Sequence, residues 1–246
     1  MKTVAVGFSQ RIKLSWLEHT AQMVLAGAPE RQIGPSLQDL LKNYLSIGGT
    51  AKRGTREKAI TILSRIWVTV RSDLVPLRND GLALLARLPA ERHLVIHWGM
   101  TMAAYPFWFM VAESTGRLLR LQGSASAAQI QRRVREQLGE RETVARATRR
   151  IIRSFVDWSV ITEGAAKGVY VPSEPIVLDD SDVISWLIEA SFVASAASTA
   201  PLKTLSQTPA LFPFRIGPHN SIESLVQRRL EVHRHSLDEP IVARAR

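Results

Sequence analysis

Four arginines, Arg146, Arg149, Arg150 and Arg153, stand at i, i+3, i+4 and i+7 in the run RETVARATRRIIRSFVDWSVI. On an α-helix that spacing puts all four on one side. Val144, Ile151, Phe155 and Trp158, with Ala147 or Thr148, fall on the opposite side. Clustered like charges destabilise a helix in isolation. A polyanion removes that cost and releases its own counterions on binding. The planar guanidinium can hold a phosphate or a guanine edge through two hydrogen bonds, which an ammonium cannot do. These side chains suit recognition of nucleic acid rather than bond-making.

The remaining chemistry-bearing residues do not assemble a reaction. His93 and His97 are four apart, a spacing that can hold a metal, but Leu94, Val95, Ile96 and Trp98 surround them and a core position is the better reading. His233 and His235 alternate as on one face of a strand, a weak metal pattern. Asp179, Asp180 and Asp182 could suggest a magnesium site. They precede an apolar helical run, where acids favour the helix N-terminus, and a cap is expected. The chain has no GxxxxGK[ST] loop, no GxGxxG, no HExxH and no nucleophile elbow. With no cysteine, thiolate zinc modules, Fe–S clusters and cysteine nucleophiles are excluded. No metal, no cofactor and no enzymatic activity are expected. A metal-dependent nuclease using Asp179 or Asp180 is kept as an alternative.

The charge supports the arginine reading. The 246 residues carry 32 Lys+Arg against 22 Asp+Glu, a net +10. Lys52 to Arg71 holds Lys52, Arg53, Arg56, Lys58, Arg65 and Arg71 against Glu57 alone, giving +5. Ile130 to Arg153 holds eight arginines, among them Arg132 and Arg133, against three glutamates, again +5. Charge serving solubility alone would be scattered; two compact clusters suggest surfaces with a partner. Glu174 to Glu189 is purely acidic and could dock on a basic patch, in cis or on a partner, which favours a second alternative, a protein–protein adaptor.

Elements must position these residues. Ser9–Leu25, Pro35–Leu45, Thr55–Val70 (with Thr55 as cap) and Pro76–Leu88 read as helices. Residues 94–112 form an uncharged stretch of membrane-spanning length, interrupted by Pro106; a buried core is preferred over a membrane span. Ser126 to Leu138 is amphipathic, capped by Ser124 or Ser126, and stopped by Gly139. A second helix starts near Glu142 or Thr143, so the pair reads as a helix-turn-helix. Val160-Ile161 and Val169-Tyr170-Val171 follow as a small hairpin with Lys167 at its tip, completing a winged helix. Thr143 and Arg146 would reach base edges, while Arg149, Arg150, Arg153 and Lys167 would lie nearer the backbone. Beyond Pro172 a helix over Asp182–Ala197 and strands at Leu211–Ile216 and Leu230–Arg234 are expected. The segments are placed at 1–121 (helical), 122–172 (winged helix-turn-helix) and 173–246 (mixed α/β).

The runs AKRGTREKAITILSRIWVTVRSDL, HWGMTMAAYPFWFMVAESTGRLLRL and RETVARATRRIIRSFVDWSVI, in this order, resemble the BrxA proteins of the BREX phage-defence systems over about residues 37 to 165. The resemblance implies a small, helical, non-enzymatic DNA-binding accessory protein working with other defence-system proteins, and the cysteine-free composition an intracellular, cytoplasmic one. It implies DNA contacts by Arg53, Arg56, Arg65 and the arginines of the second cluster. The tail from Pro172 to Arg246 departs from it by its length. The expectation is thus a mainly α, double-stranded-DNA-binding protein, possible as a homo-oligomer and without a membrane segment.

Overall fold

The computed structural model describes residues 6–47, 54–217, 229–233 and 240–244. The chain is mainly helical. The described residues start with an extended segment in which Phe8, Gln10 and Ile12 point inward and Ser9 and Arg11 outward. Four helices follow: α1 (Leu14–Leu25), α2 (Glu30–Leu41), α3 (Thr55–Trp67) and α4 (Val75–Arg87). The first helix therefore starts five residues later than its apolar spacing predicts. The cause is tertiary: the Ile12 amide donates to Ser154 Oγ at 2.9 Å and the Ile12 carbonyl accepts from Trp158 Nε1 at 2.9 Å. These bonds use the backbone groups a helix would need. Helix α2 starts earlier than predicted, with Pro35 in its interior. Thr55 does not cap α3; Gly54 occupies the cap position, and Thr55 Oγ1 donates to the Ser46 carbonyl at 2.9 Å.

The long uncharged stretch is two helices, α5 (His93–Ala104) and α6 (Pro106–Gln122), broken at Tyr105 where proline follows. Among the described residues no single helix is long and apolar enough to cross a membrane, and this pair is bent by 118°. Trp98 and Trp108 are fully buried and centre an aromatic cluster. Trp98 packs on Phe155 at 5.1 Å, Phe212 at 5.5 Å and Phe214 at 6.0 Å between ring centroids.

After α6 come β1 (Ala125–Ser126), α7 (Ala127–Leu138), α8 (Glu142–Asp157), β2 (Ile161–Glu163) and β3 (Val169–Pro172). These three strands form an antiparallel sheet in the order β1-β3-β2. The last section holds β4 (Ile176–Leu178), α9 (Ser181–Ser195), β5 (Thr199–Pro201), α10 (Leu202–Ser206), β6 (Phe214–Ile216), β7 (Leu230–His233) and β8 (Ile241–Arg244). Strand β4 pairs with β6 in parallel, and β5-β8-β7 form an antiparallel sheet. The Leu211–Ile216 strand is shorter than expected, because Pro209–Leu211 winds into a 3₁₀ turn. One hydrophobic core runs from Phe8 to Val242 through all three sequence segments. Helix α9 lies in it nearly end to end, with Trp186 Nε1 donating to the Leu77 carbonyl at 3.0 Å.

Candidate nucleic-acid interface

Helix α7 starts with a capping box. Ser126 Oγ accepts from the Gln129 amide at 3.1 Å, and the Gln129 side chain accepts from the Ser126 amide at 2.9 Å. Such a cap is worth about 1 kcal/mol. Gly139 ends the helix at φ +84°, a conformation that penalises any side chain, and lets the chain turn into α8 within three residues. Helix α8 buries Val144, Ala147, Thr148, Ile151, Ile152 and Phe155. Its back is thus locked into the aromatic core, and the extended N-terminal segment straps its last turns.

The opposite side is basic. Thr143, Arg146, Arg149, Arg150 and Arg153 are all exposed. The four arginines cover an arc of about 100° on a helix of 3.6 residues per turn. That arc has two flanks. Arg149 and Arg153 line a cavity with Lys167, Gly168 and Tyr170 of the hairpin. The Ala127 amide donates to the Gly168 carbonyl at 2.9 Å and fixes this hairpin to the start of α7. Arg150 faces the other way, into a cavity lined by Gln10, Arg11, Lys13, Tyr44 and Leu45.

Partners of the arginines are surface carboxylates. Arg146 lies 3.5 Å and Arg149 3.2 Å from Glu142, and Arg153 lies 3.9 Å from Glu163. On α7, Arg132 and Arg133 both stand near Glu136, at 3.8 and 3.4 Å. Exposed pairs of this kind contribute about 0–1 kcal/mol each, so a phosphate can replace the carboxylate at little cost.

The first basic cluster is used differently. Arg56 spends two of its donors on the backbone, Nε to the Leu45 carbonyl at 2.9 Å and Nη2 to the Lys42 carbonyl at 3.0 Å. It pins the chain leaving α2, next to the cavity that Arg150 enters. Lys58 and Arg65 are exposed on α3. Arg65 stands beside the Tyr105 hydroxyl, whose pKa burial raises to about 12 against the opposing pull of that guanidinium. Arg53 lies outside the described residues.

Lys13, Arg11 and Tyr44 belong to this surface although their spacing in the chain does not announce them. The available signal was the alternation in FSQRIK, where apolar Phe8 and Ile12 frame an outward Arg11. Arg11 pairs bidentately with Asp157.

The other candidates fall into structural roles. Asp180 caps α9, accepting from the amides of Asp182 at 2.9 Å and Val183 at 3.1 Å. Asp179 pairs with Arg92 at 2.7 Å and Asp180 with Arg87 at 2.8 Å, so these acids of the acidic segment dock in cis. Glu189 is held by Arg229 at 2.9 Å. His93 Nδ1 and His97 Nε2 both meet Glu18 Oε2, at 3.0 and 2.7 Å. Among the described residues no group of three or more His, Cys, Asp or Glu is arranged to hold a metal ion.

Comparison with known protein families, curated proteins and solved structures finds no match.

Proposed function

We propose that this chain binds double-stranded DNA through α8, carried by a winged helix-turn-helix, and performs no chemistry of its own. The observation that carries the reading is the α8 face: four exposed arginines opposite a fully packed back, with Lys167 of the hairpin beside Arg149 and Arg153. The order α6, β1, α7, α8, β2, β3 with sheet order β1-β3-β2 supports it, since a winged helix presents its second turn-helix to the major groove and its hairpin to the flanking backbone. Thr143 and Arg146, near the start of α8, are the base-reading candidates. Arg149, Arg150, Arg153 and Lys167 serve the phosphates, with Arg132, Arg133, Lys58 and Arg65 as outlying cations. The resemblance to BrxA proteins supplies the proposed setting, a prokaryotic phage-defence assembly.

Neutralising about five phosphates gives a slope of about −4.5 in log affinity against log salt. Affinity for a duplex then drops about 500-fold between 50 and 200 mM salt. Fluorescence anisotropy with a labelled duplex measures it. Arg146→Glu with Arg149→Glu should lower affinity about a hundredfold at fixed salt. A slope near zero, or wild-type affinity in that double variant, rejects the reading.

A further inference from the structure

The cavity on the Arg150 flank has a composition the duplex reading does not use. It has a volume of about 350 Å³, and no carboxylate lines it. Three cations do, Arg11, which is already paired with Asp157, and Lys13 and Arg150. Tyr44 forms one wall and is 57% exposed, the most exposed aromatic side chain among the described residues. The Lys13 ammonium lies 4.5 Å from the Tyr44 ring centroid, and Trp16 packs behind at 5.8 Å, tilted by 56°. A cation and an indole thus hold the ring, while much of its surface faces solvent. Gln10 is only 6% exposed and lines the same cavity, and no hydrogen bond engages its carboxamide among the described residues.

An exposed aromatic ring, cations and an amide thus share one cavity. A base has a π-face for the tyrosine and a donor–acceptor edge for a carboxamide. In a duplex both are covered by neighbouring bases, so the cavity suits a nucleotide that is unpaired. Arg150 connects the two surfaces: it stands one residue from Arg149 on the arginine face and opens into this cavity. A strand leaving a duplex docked on α8 would pass over Arg150 to reach Tyr44.

We propose that an unpaired nucleotide, on a strand continuous with the duplex bound at α8, stacks on Tyr44, with its phosphate on Arg150 and Lys13 and its base edge toward Gln10. The protein then prefers a duplex carrying a single-stranded extension over a blunt one. This rests on the duplex-binding reading above.

The test compares anisotropy titrations of two labelled probes, a blunt duplex and the same duplex with a single-stranded extension. Stacking of one base on an aromatic ring corresponds to about a ten-fold preference for the extended probe. Tyr44→Ala should bring the ratio of the two affinities close to one, while Tyr44→Phe, which keeps the ring, should preserve it. Gln10→Ala should lower the preference without abolishing it. Equal wild-type affinity for both probes overturns the inference, and so does a ratio that survives Tyr44→Ala. Loss of the ratio in Tyr44→Phe also overturns it, since the hydroxyl and not stacking would then be responsible. Failure of the duplex reading is seen on the blunt probe alone; failure of this inference is seen only in the ratio.

Discussion

Glu142 sits in the first turn of α8, and its carboxylate lies within 3.5 Å of Arg146 and 3.2 Å of Arg149. It therefore holds two of the four arginines when no polyanion is bound. It also favours the helix, because an acid near the N-terminus interacts well with the macrodipole, by about 0.3–1 kcal/mol. Two effects of Glu142→Gln follow and can be separated. Thermal stability should fall slightly, by less than about 1 kcal/mol. Duplex affinity at low salt should rise about five-fold, since one negative charge that a phosphate must displace is gone. Anisotropy and a melting curve on the same protein read both. Weaker binding by Glu142→Gln would mean that the carboxylate itself contacts the ligand, for instance a cytosine amino group. The arginine spacing was legible in the sequence because one regular helix generates it. Lys13 and Tyr44 were not, because their position beside Arg150 comes from contacts such as Ile12 with Ser154, more than a hundred residues apart in the chain.

At the scale of elements, the α7–α8 unit does not stand apart from the C-terminal section. Helix α6 enters the unit, and the 3₁₀ turn Pro209–Leu211 packs directly on it. A Cβ added at Gly116 would meet the Pro209 carbonyl oxygen at 1.9 Å and Phe212 Cβ at 3.0 Å. Arg120 completes the seam by donating to the Gln207 carbonyl at 2.7 Å and the Thr208 carbonyl at 3.2 Å. Gly116→Ala thus sets two effects against each other. Alanine favours the helix by about 0.5–1 kcal/mol. Intrusion into a packed backbone contact costs about 1–3 kcal/mol or more, and this one is against main-chain atoms that cannot rotate away. The net expectation is destabilisation by about 2 kcal/mol, read as a lower urea midpoint with unchanged slope. A neutral or stabilising result would show that the turn is free to lift off α6. The elements themselves were largely readable: α4, α7, α8 and the hairpin strands lie within a few residues of their predicted places. The apolar spacing of α1 and α2 located both helices but misplaced their ends, which backbone bonds to Ser154 and Trp158 and an unexpected interior Pro35 decide. Strand β1, two residues long, and β4, the parallel partner of the expected β6, had no period long enough to detect.

For the whole molecule, one core joining all three segments predicts a single cooperative unfolding transition, and its pH dependence follows from the bridge between α1 and α5. Glu18 accepts from His97 and Gln22 and meets His93. The His97 hydrogen bond, ahead of those of Gln22 and His93, holds the Glu18 pKa at about 2 against the opposing effect of burial. His97 is fully buried, and burial lowers its pKa despite the hydrogen bond to Glu18. Its Nδ1 is buried with no hydrogen-bond partner among the described residues, which suits a bare lone pair and not an N–H⁺. Both groups bind protons more readily when unfolded, so both lose stability in the same direction. The His97 contribution is complete above its ordinary value of 6.5 and declines as pH falls below it. The Glu18 contribution is complete above 4.5 and is lost as pH falls toward about 2. Melting temperature should therefore decline from just below neutrality and fall further below about pH 4.5. His97→Gln, which keeps a donor toward Glu18 but cannot titrate, should flatten the upper part of that decline. Glu18→Gln should flatten the lower part. Variants that shift the curve without changing its shape would place the acid sensitivity elsewhere, in exposed pairs such as Asp179 with Arg92.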